Sequence, residues 1–120
     1  MINIDELRKI WNVQSSFQKN FFDTEKMSLE EREKWTKEYI LSIASETFEL
    51  LNECNWKRHV VHKKELDHDK LTEECVDIFK FWLNLCLIWG ITPDMFVEKF
   101  YAKSRFVEER YAKELESIKN

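Results

Sequence analysis

Residues 74–90 read ECVDIFKFWLNLCLIWG, and the fold turns on how this run is understood. Almost every position from Cys75 to Ile88 is apolar, so the run reads as a central helix buried on several sides. Asp67 or Asp69 should open it, and Gly90 is a natural residue to close it. Two acids stand at its amino-terminal end: Glu74 and Asp77 precede Phe81 and Leu85 at steps of four. A second acidic pair, Glu46 and Glu49, lies in the preceding helix, with Glu46 between Ile43 and Leu50 on the stripe that should face the core. An i, i+3 pair puts two side chains on one helix face. With 23 acids in 120 residues, one such pair means little. Two pairs, both on apolar stripes, mean more, because a core-facing carboxylate costs several kcal/mol unless compensated. The bland alternative is a set of boundary residues on solvated flanks, paired with Lys57 or Lys103. The sharper one is four carboxylates around a divalent cation, and oxygen ligands without His or Cys suit Mg²⁺ or Mn²⁺ rather than zinc.

Working outward, the other helix limits follow from their caps. Ser28-Leu29-Glu30-Glu31 is a capping box, and the helix after it should run through Trp35, Tyr39 and Thr47 to about Asn52. Asn3-Ile4-Asp5-Glu6 resembles another cap, opening a helix to about Phe22, with residues 23–27 as a linker. Its expected apolar stripe is Leu7, Ile10/Trp11, Phe17 and Phe21, with Gln14 in the gap and Gln18 beside it. An inward glutamine needs partners for two donors and an acceptor. It makes an interhelical hydrogen bond, or it reads the edge of a polar, planar ligand. Thr92-Pro93-Asp94 starts a last helix, to about Lys119. There Val97, Tyr101, Ser104, Tyr111, Leu115 and Ile118 form a packing seam, with Lys103 and Arg110 just beside it. These two cations pair on the surface or clamp phosphate. Residues 55–64, NWKRHVVHKK, carry six basic or imidazole side chains between the two acidic pairs. A charge run is usually a solvated loop. Here it also sits where polyphosphate held at the acids would project, and Trp56 could stack on a base or close the helix end.

Composition agrees. One Gly and one Pro argue for an all-helical chain, and 120 residues for a single domain over 1–120. Nine Phe, five Trp and three Tyr suit a thick core or a subunit interface. A net charge of −4 gives no sign of a nucleic-acid coat, and the longest apolar run is too short to span a membrane. Cys54, Cys75 and Cys86 are odd in number and lack zinc-like spacing; Cys75 and Cys86 read as small buried hydrophobes in a reducing compartment. The N-terminus lacks the order of a secretory signal, so the expected location is cytoplasmic.

ExxE, about two dozen residues, then ExxD resembles the all-α nucleoside triphosphate pyrophosphatases, which include the dimeric dUTPases and the MazG-like enzymes. Here 24 residues separate Glu46-x-x-Glu49 from Glu74-x-x-Asp77, and the resemblance extends from Gln14 to Arg110. The run ASETFELLNE (44–53), followed by Trp56-Lys57, looks most like the dimeric dUTPase branch, as does the early Gln14. Ser104 and Val107 stand where that branch usually has asparagines, Tyr111 where a Gln is common, and Arg58 and His59 replace aromatic residues.

The resemblance implies a four-to-five-helix antiparallel bundle, oligomeric as a homodimer or homotetramer, that completes its site by pairing subunits. It implies Mg²⁺ (or Mn²⁺) at Glu46, Glu49, Glu74 and Asp77, with Glu46 or Glu49 orienting the attacking water. Lys57, Lys103 and Arg110 would hold phosphates, and Gln14, Gln18 and Trp56 would face the base. The implied activity is hydrolysis of dUTP to dUMP and pyrophosphate. The alternatives are a MazG-like pyrophosphatase acting on dCTP or a damaged nucleotide, and a catalytically silent helical interaction protein. No nucleic-acid or membrane partner is implied.

Overall fold

The computed structural model describes residues 3–119. Its helices are α1 (Ile4–Gln18), α2 (Leu29–Asn52), α3 (His68–Ile88) and α4 (Pro93–Lys119), with a 3₁₀ turn at Thr24–Lys26 and no strand among the described residues. The caps lie where the sequence puts them. Asn3 accepts from the Asp5 amide, Ser28 from Glu31, Asp67 from Lys70, and the Thr92 hydroxyl from Met95. Gly90 leaves α3 with φ 66°, a conformation that costs glycine no Cβ clash.

The second half of α3 feeds both cores. Leu83 and Cys86 pack with Trp11 of α1, under Leu7, Trp82, Ile91 and Phe96. Ile88 packs with Met27 and Tyr39, under Phe22, Trp35 and Phe81. Aromatic contacts tie each core internally: the Trp82 and Phe96 rings lie 4.8 Å apart in the first, and Trp35 stacks on Tyr39 at 5.6 Å in the second. Polar ties fix the corners. The Trp11 indole N–H donates to the Ile91 carbonyl at 3.0 Å. Arg8 binds Asp94 at 2.8 Å, pinning the start of α4 to α1. Arg32 donates to the carbonyl of Ile88 and, at 2.6 Å, to that of Thr24.

Three expectations are corrected here. The buried face of α1 is Leu7, Trp11, Gln14 and Gln18, whereas Phe17 and Phe21 are 55% and 62% exposed. At 100° per residue the 7-11-14-18 stripe is continuous, and the two phenylalanines turn to its flank with Ile10 and Val13. Cys75 is exposed, and so are Val76 and Phe79, because the first half of α3 meets α2 on one side only. Thirdly, α4 does not lie back along the other helices as an antiparallel bundle would have it.

Instead α4 turns through 106° from α3. Beyond Val97 its residues are exposed apart from half-buried Ser104, including the seam residues Tyr101, Tyr111, Leu115 and Ile118. The chain's radius of gyration is accordingly 18.9 Å, against about 14 Å for a compact domain of this length. No single described helix is long and apolar enough to cross a membrane.

Burial pushes the Cys86 thiol up to about 11, while Cys54 and Cys75 are exposed. Thiolate is the reactive form. Iodoacetamide at pH 8 should therefore label Cys54 quickly and Cys86 only after denaturation, read by peptide mass. Rapid labelling of Cys86 in folded protein would contradict the α1–α3 packing.

Candidate active site

The acids come together where α2 and α3 lie against each other. One carboxylate oxygen each from Glu46, Glu74 and Asp77 falls within 4.8 Å of the others. Glu49 lies outside that trio, one turn along α2, close enough to act on Glu46. Two oxygens, Glu46 Oε2 and Glu74 Oε2, are fully buried without a hydrogen-bond partner. Such orphaned anionic atoms are costly in a finished structure. The ion pairs among the described residues are Arg8–Asp5, Arg8–Asp94 and Lys9–Glu6, none at the cluster. The donor set is therefore short of positive charge and suits a hard divalent cation.

Crowding perturbs the acids as it should. Desolvation, then the neighbouring Glu49 carboxylate, with further contributions from Glu74 and Asp77, push Glu46 up to about 7. Glu74 is also raised, chiefly by desolvation, with repulsion from Glu49, Asp77 and Glu53 adding to it. A raised acid holds its proton in the folded state after the unfolded chain has released it. Its stabilising contribution is thus complete below the ordinary 4.5 and is lost as pH climbs through about 7. Metal-free protein should melt higher at pH 5 than at pH 7.5, and the difference should shrink in Glu46→Gln. Equal melting temperatures for the wild type at the two pH values would count against the cluster.

The other candidates are spread more widely. Lys57 follows α2 in the basic loop, its ammonium 5.4 Å from the centre of the Trp56 ring. The Trp56 indole donates to Asn52 at 3.3 Å, so it closes the end of α2. Asn55 fixes the neck of the loop, its side chain donating to the Lys64 carbonyl at 2.7 Å and accepting from the Lys64 amide at 3.1 Å. Gln14 is buried and donates to Asn84 Oδ1 at 2.7 Å; Gln18 is buried and accepts from the Tyr39 hydroxyl at 3.1 Å. Lys103 and Arg110 are not brought to the acids within one protomer. They lie roughly 15 and 25 Å along α4, and Asp77 roughly 17 Å back along α3, measured from the corner between them at 1.5 Å per residue.

Asn84 and Tyr39 belong to this neighbourhood and were not foreseen. The signal for Asn84 was spacing: Glu74, Asp77, Phe81 and Asn84 follow steps of 3, 4 and 3, a single stripe of α3.

Two helices thus bring acids from both pairs together, and a basic loop lies between the pairs in the chain. A family model described as dUTPase matches residues 6–120, and the chain belongs to that family, the dimeric all-α dUTPases. It is a hydrolase, and its family activity is dUTP pyrophosphohydrolysis. No curated protein and no solved structure matches the chain.

Proposed function

We propose that dUTP binds in a groove between α1 and α2, its triphosphate at the carboxylates and its base toward Gln14, and leaves as dUMP and pyrophosphate. The observation that carries this reading is the pair of buried, partnerless oxygens on Glu46 and Glu74. Mg²⁺ held by Glu46, Glu74 and Asp77 would neutralise phosphate charge and act as a Lewis acid toward phosphate and water. Glu49, outside the trio, would orient the attacking water and take its proton. Lys57 would hold phosphate oxygens by charge-assisted hydrogen bonds, with its loop fixed at the neck by Asn55. Trp56 can meet the base only by giving up its bond to Asn52.

A second copy of the chain completes this picture. The exposed seam of α4, together with Phe48, Val76 and Phe79 beside the acids, forms apolar surface that a homodimer would cover. Lys103 and Arg110 would then reach the triphosphate from the partner's α4. The test of the whole reading is pyrophosphate release from each (d)NTP, with and without Mg²⁺. Highest activity on dUTP, lost on chelation, is expected. Highest activity on dCTP would favour the related pyrimidine reading, and no Mg²⁺-dependent release from any nucleotide would reject both.

Gln14→Leu removes one amide from the groove and leaves Asn84 without its donor. A site that leaves a buried polar partner unmatched loses about 1–3 kcal/mol. Turnover of dUTP should fall roughly ten- to a hundredfold at that cost, while poor substrates change little. An equal loss for every nucleotide would make Gln14 a core hydrogen bonder and nothing more.

A further inference from the structure

Asn84 sits two turns beyond Asp77 on the acid-bearing stripe of α3, about 10.5 Å along the axis. That is close to the length of a nucleotide from its phosphate to the far edge of its base. Asn84 is 3% exposed and Gln14 6%, and a single hydrogen bond of 2.7 Å joins their amides. The bond uses the Gln14 nitrogen and the Asn84 oxygen, leaving the Gln14 carbonyl oxygen and the Asn84 amide nitrogen without partners among the described residues. Neither free atom is sealed in, because the fully buried partnerless side-chain atoms are those of Glu46 and Glu74. α1 and α2 both pack on α3 and hardly on each other. The Tyr39–Gln18 bond joins them, and Tyr39 stands 6.3 Å from the Phe81 ring, the aromatic step between Asp77 and Asn84.

We propose that Asn84 is a specificity residue: with Gln14 it forms a two-amide reader whose Asn84 member recognises the group at position 4 of a pyrimidine. The proposal rests on the dUTP reading above. Uracil presents a donor at N3–H and an acceptor at O4. The free Gln14 carbonyl matches the first, and the free Asn84 N–H matches the second. Rotating both amides keeps the bond between them and reverses the outward pattern, which then fits N3 and the 4-amino group of cytosine. In either state Asn84 meets the substituent at C4 and Gln14 meets N3. Burial gives the pair its power to discriminate, since a base with nothing at C4 leaves the Asn84 amide desolvated and unmatched.

The probe is therefore a base lacking any 4-substituent. Binding of two α,β-imido triphosphates, one of deoxyuridine and one of 3,4-dihydro-2-pyrimidinone deoxyriboside, which keeps the N3–H and has no 4-oxo group, is measured by titration calorimetry with Mg²⁺. The wild type should prefer the uracil analogue by about tenfold. In Asn84→Leu, which has nearly the same shape, the two analogues should bind equally. Asn84→Ser, one bond shorter and still polar, should show the same equalisation and serves if the leucine variant does not fold. A purely structural Asn84 would lower both affinities by one factor and keep the tenfold preference, which overturns the proposal. So would a wild type with no preference. A wild type that binds neither analogue and hydrolyses no dUTP rejects the functional reading itself, and the proposal with it.

Discussion

Asp77→Asn should reduce pyrophosphate release from dUTP by at least a hundredfold while leaving metal-free stability unchanged or higher. The two halves of this result have one cause. Asp77 contributes one of three carboxylate oxygens lying within 4.8 Å of one another. An amide of the same shape removes a unit of charge from a cluster proposed to hold a divalent cation against a triphosphate. Even residues outside a metal's ligand shell cost about 10–100-fold when lost, so a ligand should cost more. Without metal the sign reverses: Asp77 is one of the charges that drive Glu46 upward, and removing it relieves repulsion. Steady-state turnover and a melting curve in chelator check the two halves separately. Near-wild-type turnover would move the site elsewhere, and a large fall in metal-free melting temperature would make Asp77 structural.

The second large effect concerns α4. Tyr111→Glu combined with Leu115→Glu should turn a homodimer into a monomer at micromolar concentration and abolish activity, although neither residue touches the acids. Both are exposed in the single protomer, at 62% and 42%, on the outer part of a helix that packs on nothing there. Within one chain the two substitutions should therefore be nearly neutral, in the range of ordinary surface changes. Across a subunit seam they bury charge without a partner, which costs several kcal/mol. Light scattering and circular dichroism distinguish these outcomes. A wild type that is already monomeric, or a variant that stays dimeric and active, removes α4 from the assembly and returns Lys103 and Arg110 to the surface.

Much of this architecture could be read from local chemistry. Ser28, Asp67, Thr92-Pro93 and Gly90 end or begin helices through bonds to residues within a few positions, so the chain itself declares them. Helical spacing puts Glu46 beside Glu49 and Glu74 beside Asp77, but only the meeting of α2 with α3 brings Glu46 to the second pair and leaves Glu49 outside the trio. What the sequence left hidden depends on partners far along the chain. Phe17 and Phe21 look like core residues until α3 is seen to take the Gln14–Gln18 stripe instead. Asn84 looks like an interruption in an apolar run until Gln14, 70 residues away, is found bonded to it. The 3-4 spacing of α4 marks an apolar stripe, but within this chain nothing packs on the stripe beyond Val97, and spacing does not say what else would fill it.

The neck formed by Asn55 and Lys64 has a consequence for how such an enzyme can change. Because one side chain clasps both backbone groups of the residue nine positions on, the segment between them leaves and rejoins the scaffold at nearly one point. Apart from Trp56, which closes the end of α2, no described side chain inside that ring hydrogen-bonds to α2 or α3, and loop closure is only weakly sensitive to the number of residues enclosed. The cationic residues 57–63 thus form a cassette, open to exchange for a longer, shorter or differently charged insert while the carboxylate frame stays in register.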